Sequence, residues 1–203
     1  MAHIALIGAS GNAGSRILKE LSSRGHQITA IARAPERITV LPGVTARQGE
    51  ISDPDSLSSL LAGHDAVISS VHFSASDPEK LIAAIRGSGV KRYLVVGGAG
   101  SLETASGQRL IDSPDFPDAY RTEAEGGATF LTLLQSTDDL DWTFLSPSAE
   151  FVAGQRTGRF RLGKDRLLAN ESGSSISFED YAIAMVDEVE KPAHIRQRFT
   201  VGY

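Results

Sequence analysis

The residues best suited to chemistry lie near the start of the chain. Gly8-Ala9-Ser10-Gly11-Asn12-Ala13-Gly14 follows the apolar run Ile4-Ala5-Leu6-Ile7 and opens a segment with apolar residues at helical spacing. In such a strand–turn–helix each glycine has its own task. Gly8 allows the tight turn, Gly11 lets backbone approach a pyrophosphate, and Gly14 lets the helix pack closely on the sheet. The N–H groups and positive dipole of the helix start then face the phosphates. That assigns Ser10, Gly11, Asn12, Ala13 and Gly14 to a phosphate-binding rim. The spacing is G-x-x-G-x-x-G, not G-x-G-x-x-G, and tight β–α turns also use glycine for shape alone. The strand before, the helix after and four further strands favour a dinucleotide.

The next strand bears on cofactor choice. An NAD site usually places an acid about 20 residues further on, against the ribose 2′-hydroxyl. Residues 27–35 hold no acid; the strand closes at Ala32-Arg33, and Arg37 follows. A guanidinium suits a phosphate that an acid would repel, so NADPH is expected in preference to NADH. The competing reading makes Arg33 and Arg37 solvated surface charges, and Glu36 beside them works against the preference.

Ligands of such folds bind at the carboxyl ends of the strands, so further strand ends supply candidates. Gly49-Glu50-Ile51 is placed to flank the adenine, with Glu50 either accepting from its amino group or a plain loop acid. Ser70-Val71-His72 ends the fourth strand; His72 is read as a donor to a cofactor phosphate, a proton relay or a structural imidazole. Gly97-Gly98-Ala99-Gly100-Ser101 ends the fifth, and its glycines mark close backbone approach to a ligand or a flexible turn. Ser101 is a candidate for contact with substrate or nicotinamide, and Ser146-Pro147 for contact with the nicotinamide amide. Phe151 and the loop 154–158 are candidates for an acceptor pocket, with Arg156 either in it or solvated. The remaining histidines share no metal-ligand spacing, so no metal site is expected.

The elements that position these residues read as alternating strands and helices. Strands are expected at 3–7, 27–32, 44–48, 66–71 and 92–96, three of them continuous apolar runs suited to burial on both faces. Helices are expected at 12–24, with Gly25 past its end, at 54–62, with Asp53 as N-cap, and at 77–86, with a Ser76–Glu79 capping box. This βαβαβαβαβ order predicts a doubly wound, mostly parallel sheet with helices on both faces. Beyond it come a helix over 119–136, weakened or kinked at Gly126-Gly127, and a strand over 141–145. Short strands at 159–162, 166–169 and 174–176, a helix over 178–190 capped by Ser177 and a closing strand at 198–201 make a small elaborated C-terminal part. One domain, 1–203, is expected.

Composition sets outer limits. Twenty Lys+Arg against 25 Asp+Glu give a formal charge of −5, so neither nucleic acid nor an anionic membrane is an expected partner. There is no cysteine, hence no disulfide, thiolate metal site or thiol nucleophile. The N-terminal apolar run is too short for a signal segment or a membrane span, and a cytoplasmic monomer or homodimer acting on a small-molecule acceptor is expected. Glycine is over-represented: 20 of 203 residues, about 10% against a usual ~7%.

Taken together the chain resembles the atypical short-chain dehydrogenase/reductase family. The nearest resemblance is to the small NAD(P)H-binding group of NmrA-like regulators, biliverdin reductase B and bacterial NADH-flavin reductase-like proteins. It rests on Gly8–Gly14, Arg33, the 49–53 and 95–101 segments, Asp141–Pro147 and the tail from Ile176 to Tyr203, so it covers nearly the whole chain. It implies a Rossmann-type fold with nicotinamide at the strand ends. Typical members also carry Tyr-x-x-x-Lys, whose lysine tunes the tyrosine as an acid. The comparable segment here is Tyr120-Arg121-Thr122-Glu123-Ala124, with alanine in the lysine position. Tyr120 is thus a candidate catalytic residue without its partner, since a phenol lacking such a neighbour stays protonated near neutrality. Flavins, quinones and tetrapyrroles accept hydride into a conjugated system, and their protons can come from water. The sequence therefore points to hydride transfer from NADPH to such an acceptor, FMN or FAD included. A cofactor-binding redox sensor without chemistry is the alternative, and a sugar-nucleotide epimerase, which needs the Tyr/Lys pair, is the weakest reading.

Overall fold

The computed structural model describes residues 1–203. The first half runs β1 (His3–Ile7), α1 (Asn12–Ser23), β2 (Gln27–Ala32), β3 (Val44–Gln48), α2 (Pro54–Leu61), β4 (Ala66–Ser69), α3 (Pro78–Ser88) and β5 (Arg92–Val96). The second runs α4 (Arg121–Gln135), β6 (Asp141–Ser146), β7 (Glu150–Val152), β8 (Arg161–Gly163), β9 (Ser175–Ser177), α5 (Phe178–Glu190) and β10 (Gln197–Gly202). Eight strands form one sheet in the order β3-β2-β1-β4-β5-β6-β10-β8; every pairing is parallel except that of β8 with β10. Strands β7 and β9 form a separate parallel pair.

Burial on both faces follows from the apolar runs. Alternate residues of β1 serve different cores: Ile4 and Leu6 pack with α1 and α5, Ala5 and Ile7 with α2, α3 and α4. Helix α1 buries the stripe Ala13, Ile17, Leu18 and Leu21, and Gly25 follows it at φ 81°, a left-handed conformation that costs glycine little. The result is a Rossmann-type, doubly wound α/β fold whose strand order reverses between β1 and β4, the point where this architecture opens a crevice.

Several elements depart from the sequence reading. Between β2 and β3 there is no helix, only a single 3₁₀ turn, Pro35–Arg37. Asp77, not Ser76, caps α3: Pro78 takes the first helical position, and the Asp77 carboxylate accepts from the N–H groups of Glu79 and Lys80. Strand β4 stops at Ser69, and a 3₁₀ turn, Phe73–Ala75, follows His72. Residues 166–169 form no strand; Arg166 makes one isolated bridge to Glu103. Strand β7 was not foreseen.

The Gly126-Gly127 pair interrupts nothing, since α4 runs through it. A Cβ on Gly126 would come within 2.9 Å of Phe73 Cβ, and one on Gly127 within 3.0 Å of its ring. The pair is a notch that admits Phe73. Gly97 is equally confined by protein: a Cβ there would lie 2.4 Å from the Phe144 ring and 2.7 Å from the Leu145 carbonyl oxygen. We expect Gly97→Ala to destabilise the fold by about 1–3 kcal/mol through overpacking, read as a lower midpoint in urea unfolding.

Candidate functional site

Parallel register brings the strand ends to one edge. Ile7 lies opposite Ile31 and Ser69, Ser69 opposite Val95, and Val96 opposite Leu145. Gly8, Ser70 and Gly97 continue from these rows. At Gly8, φ is 79° and a Cβ would sit 2.0 Å from the Ser70 carbonyl oxygen, so glycine alone fits. At Gly14 a Cβ would meet the Gly8 carbonyl oxygen at 2.1 Å. Gly11 differs: φ is −75°, and a Cβ would find nothing closer than 3.3 Å. That contact is tight but short of the clashes at Gly8 and Gly14, so the space beside Gly11 is less filled.

The start of α1 is left open. Gly11 donates to the Gly8 carbonyl at 3.0 Å, no side chain caps the helix, and its first turn holds no acid. The N–H groups of Asn12, Ala13 and Gly14 find no acceptor within the chain, and the side chains of Ser10 and Asn12 make no hydrogen bond. Such a helix start is an anion site in charge and geometry. Beyond it, Arg33 follows β2 and Arg37 ends the 3₁₀ turn; both are exposed, and neither guanidinium makes an ion pair or hydrogen bond. Glu50 is exposed and accepts only from the Ser52 hydroxyl, at 3.2 Å, while Ile51 is half-buried against the α2–α3 core.

On the other side of the crevice the exit from β4 is locked. Ser70 and Val71 pass behind Gly8, and His72 stands out with 84% of its side chain exposed. Phe73 drops into the α4 notch, edge-on to Phe130 at 5.7 Å and stacked with Phe144 at 6.1 Å. Glu123, in the first turn of α4, accepts from the N–H of Phe73 at 2.8 Å and from the N–H and hydroxyl of Ser74 at 2.9 and 2.6 Å. Burial pushes the Glu123 carboxyl up, but these hydrogen bonds and nearby His72 outweigh it and hold the group below the usual carboxylate value. Glu123 and Phe73 carry this arrangement, and neither was singled out from sequence. The one sequence signal for the notch is the adjacent glycine pair.

The remaining candidates fall in different settings. Gly98 faces Phe73 with ordinary contact room. The Ser101 hydroxyl accepts from Arg198 at 3.1 Å, and Arg198 also pairs with Asp165. Ser146 and Pro147 are wholly buried; the Ser146 carbonyl accepts from the Thr200 hydroxyl, and its own hydroxyl has no partner. Tyr120 is 66% exposed, and its hydroxyl bonds to nothing. Ala124, in the position of the missing lysine, faces Gly100 so closely that a Cβ on Gly100 would lie 2.7 Å from its methyl group. Arg121 cannot substitute, because its guanidinium bonds the Ile111 carbonyl and pairs with Asp118.

The segment after β7 is pinned to helices. Phe151 packs at 4.6 Å on both Phe178 and Tyr181. Arg156 makes a bidentate bond to Glu20 of α1, and buried Asp180 accepts from the N–H groups of Thr157 and Gly158 and from the hydroxyls of Thr157 and Tyr203. Burial pushes the Glu20 carboxyl up, but bonds from Arg156 and Arg24 hold it below the usual value of 4.5. A half-open pocket of about 300 Å³, lined in part by Phe160, Glu188, His194 and Phe199, lies away from the strand ends. Glu188 in its lining is bound by Arg92 and His194.

The open helix start, the room at Gly11 and the two free guanidinium groups fit a dinucleotide carrying several phosphates. Residues 8–192 match a family described as NAD(P)H-binding. Three solved structures resemble the chain over its full length. An exported protein of Burkholderia pseudomallei, so described provisionally, is 45% identical with a TM-score of 0.90, each chain covered completely. A provisionally named epimerase of Bacteroides thetaiotaomicron is 40% identical at 0.94, with 97% of that chain covered. A provisionally named NADH-flavin reductase of Streptococcus pneumoniae is 36% identical at 0.84, with 99% of that chain covered.

Two outcomes follow from this geometry. Gly11→Ala should leave stability within about 1 kcal/mol, a cap effect, while weakening NAD(P)H binding roughly tenfold by calorimetry as the added methyl crowds the pyrophosphate. Glu20 ionises more readily folded than unfolded. Its contribution to stability is therefore full above the unfolded carboxylate value and lost as pH falls through the lower folded one. Glu20→Gln should accordingly lower stability near neutrality and flatten the acid limb of the stability–pH curve.

Proposed function

The chain belongs to the NAD(P)H-binding family, and from that premise we propose that it is a reductase passing hydride from NADPH to a planar conjugated acceptor such as a flavin or quinone. When bound, the cofactor supplies the hydride. The protein's own residues bind, orient and shield. Gly8, Gly11 and Gly14 with the N–H groups of Asn12 and Ala13 hold the pyrophosphate, with the Ser10 hydroxyl beside them. Arg33 and Arg37 hold the 2′-phosphate, and their freedom from any acid partner favours NADPH over NADH. Glu50 and Ile51 border the adenine, and Ser70, Val71, His72, Gly97 and Gly98 border the nicotinamide side.

The observation that carries the choice of acceptor is the Gly100–Ala124 contact. It fills the lysine position with a methyl group and leaves the Tyr120 hydroxyl without a cation or a hydrogen bond. Reduction of an unactivated ketone needs a tuned phenol held on the carbonyl oxygen as the hydride arrives, whereas a conjugated acceptor can take its proton from another nearby donor or from water. The name of the Streptococcus pneumoniae relative agrees with this reading. In this reading the protein works in the cytoplasm as a monomer or homodimer on a small molecule, with no nucleic acid or membrane partner. Its charge of −5 supports the last point, and no helix is long and apolar enough to cross a membrane.

The test follows absorbance of the reduced cofactor with NADPH and a panel of FMN, FAD and quinones. Turnover is expected. Tight NADPH binding with no turnover on any acceptor would sink the reductase reading in favour of a redox sensor. Arg33→Ala should weaken NADPH binding about tenfold and leave NADH binding nearly unchanged. Equal loss for both would remove Arg33 from the 2′-phosphate.

A further inference from the structure

We propose that His72 is the proton donor to the acceptor and that Glu123 is the residue that positions it. The proposal rests on the reductase reading above and names a role that the Tyr120 segment leaves vacant.

The argument starts from the exit of β4. A strand-to-helix connection of this kind has no intrinsic reason to hold one conformation. Here the two residues after His72 are fixed from both sides. The Phe73 ring is seated in the Gly126-Gly127 notch against Phe130 and Phe144. Glu123 takes the N–H groups of Phe73 and Ser74 together with the Ser74 hydroxyl. His72 itself contributes nothing to this packing, being 84% exposed. A locked loop that presents one free imidazole at a strand end is an arrangement for function rather than for stability.

The ring is oriented as well as presented. Its Nδ1 lies 3.5 Å from Glu123 Oε1, an ion-pair distance rather than a hydrogen bond. That leaves Nε2 without a hydrogen-bond partner in the protein. The other elements bordering His72 bring no competing charge. The Gly8–Gly14 turn and the Gly97–Ser101 loop contain no ionisable side chain, and Arg121 of α4 is bound to the Ile111 carbonyl and Asp118. Glu123 is thus the one charged group in ion-pair reach of the ring.

The step balances simply. The acceptor gains hydride, with both electrons, from the reduced cofactor. It gains a proton as the Nε2–H bond of His72 breaks. The neutral imidazole regains its proton from water.

Four measurements test this. First, carbethoxylation of His72 by diethyl pyrocarbonate, followed by mass spectrometry, should slow markedly when NADPH is bound. Exposed His3, at the opposite end of β1, should react unchanged. Second, turnover of NADPH with FMN and quinones should fall as pH rises through the neutral range where imidazoles lose their charge. In His72→Gln it should be about a hundredfold lower on the acid side and flat with pH, a loss well beyond the at most about tenfold fall in NADPH affinity by calorimetry. Third, added imidazole should restore about tenfold of the loss in His72→Ala. Fourth, Glu123→Gln should lower kcat without raising KM for NADPH. In the double variant with His72→Gln it should add little, because two groups acting as one unit are not additive. A purely structural Glu123 would add its full effect. Wild-type protein that turns over while His72→Gln keeps its rate and pH profile, or while NADPH gives no protection, overturns the assignment of His72 alone. Wild-type protein that turns over no acceptor overturns the reductase reading, and this proposal with it.

Discussion

The crevice depends on one close backbone approach. The chain turns at Gly8 hard against the carbonyl of Ser70, and Gly14 of α1 comes down on the carbonyl of Gly8. Three segments distant in sequence, the end of β1, the start of α1 and the exit of β4, therefore meet with no side chain between them. The contact sets the height of α1 over the sheet, and so where its unbonded N–H groups point. It also brings the exit of β4 beside the helix start, which is how His72 comes to share a crevice with a phosphate site. A methyl group at either glycine would displace all three segments at once.

The locking of the β4 exit shows how a polar and an apolar device reinforce each other. Phe73 supplies burial and shape, and the glycine pair of α4 supplies room for it. Glu123 satisfies backbone donors that the short 3₁₀ turn would otherwise leave unmet. Since the carboxylate sits in the first turn of α4, the helix dipole also favours its charge. Opposite, the Glu20–Arg156 pair and the donors on Asp180 hold the segment after β7 to α1 and α5. The exit of β4 and the segment after β7 are thus both fixed to helices, while the start of α1 keeps its donors unpaired.

Much of the fold was legible because its signals are local. The apolar runs of β1, β2 and β5, the stripe of α1 and Ser177 at the start of α5 each depend on a few neighbouring residues, and the bounds came out within a residue or two. The misses have physical causes. The cap of α3 moved by one residue because Pro78 fixes the first helical position. Residues 166–169 read as a strand, but their only ladder partner is a single bridge. The glycines were the more instructive case. The 97–100 glycines read as backbone close to a ligand or a flexible turn, yet Gly97 and Gly100 are demanded by Phe144 and Ala124 of the protein itself, while Gly8 and Gly14 serve the tight turn and the close helix packing expected of them. Gly11 and Gly98 are less confined, with the nearest atom to an added Cβ at 3.3 and 3.7 Å. A glycine count cannot separate the two uses, because the neighbour that excludes a Cβ may lie sixty residues away, as Ser70 does from Gly8. Glu123 was invisible for the same reason: its partners, Phe73 and Ser74, stand about fifty residues upstream.

The order of the strands also bears on how the chain reaches this state. Strand β6 gains its outer neighbour only when β10 arrives; the bond from Thr200 to the Ser146 carbonyl spans 54 residues. Strand β8, though made earlier, hangs on β10 alone. Until that late insertion a folding chain carries β6 as a bare, apolar edge next to a nearly complete half-sheet. Such an edge invites pairing with another chain. The vulnerable species during synthesis or refolding is therefore a well-formed sheet waiting for its penultimate strand, and aggregation should compete with folding at that step rather than at the initial collapse.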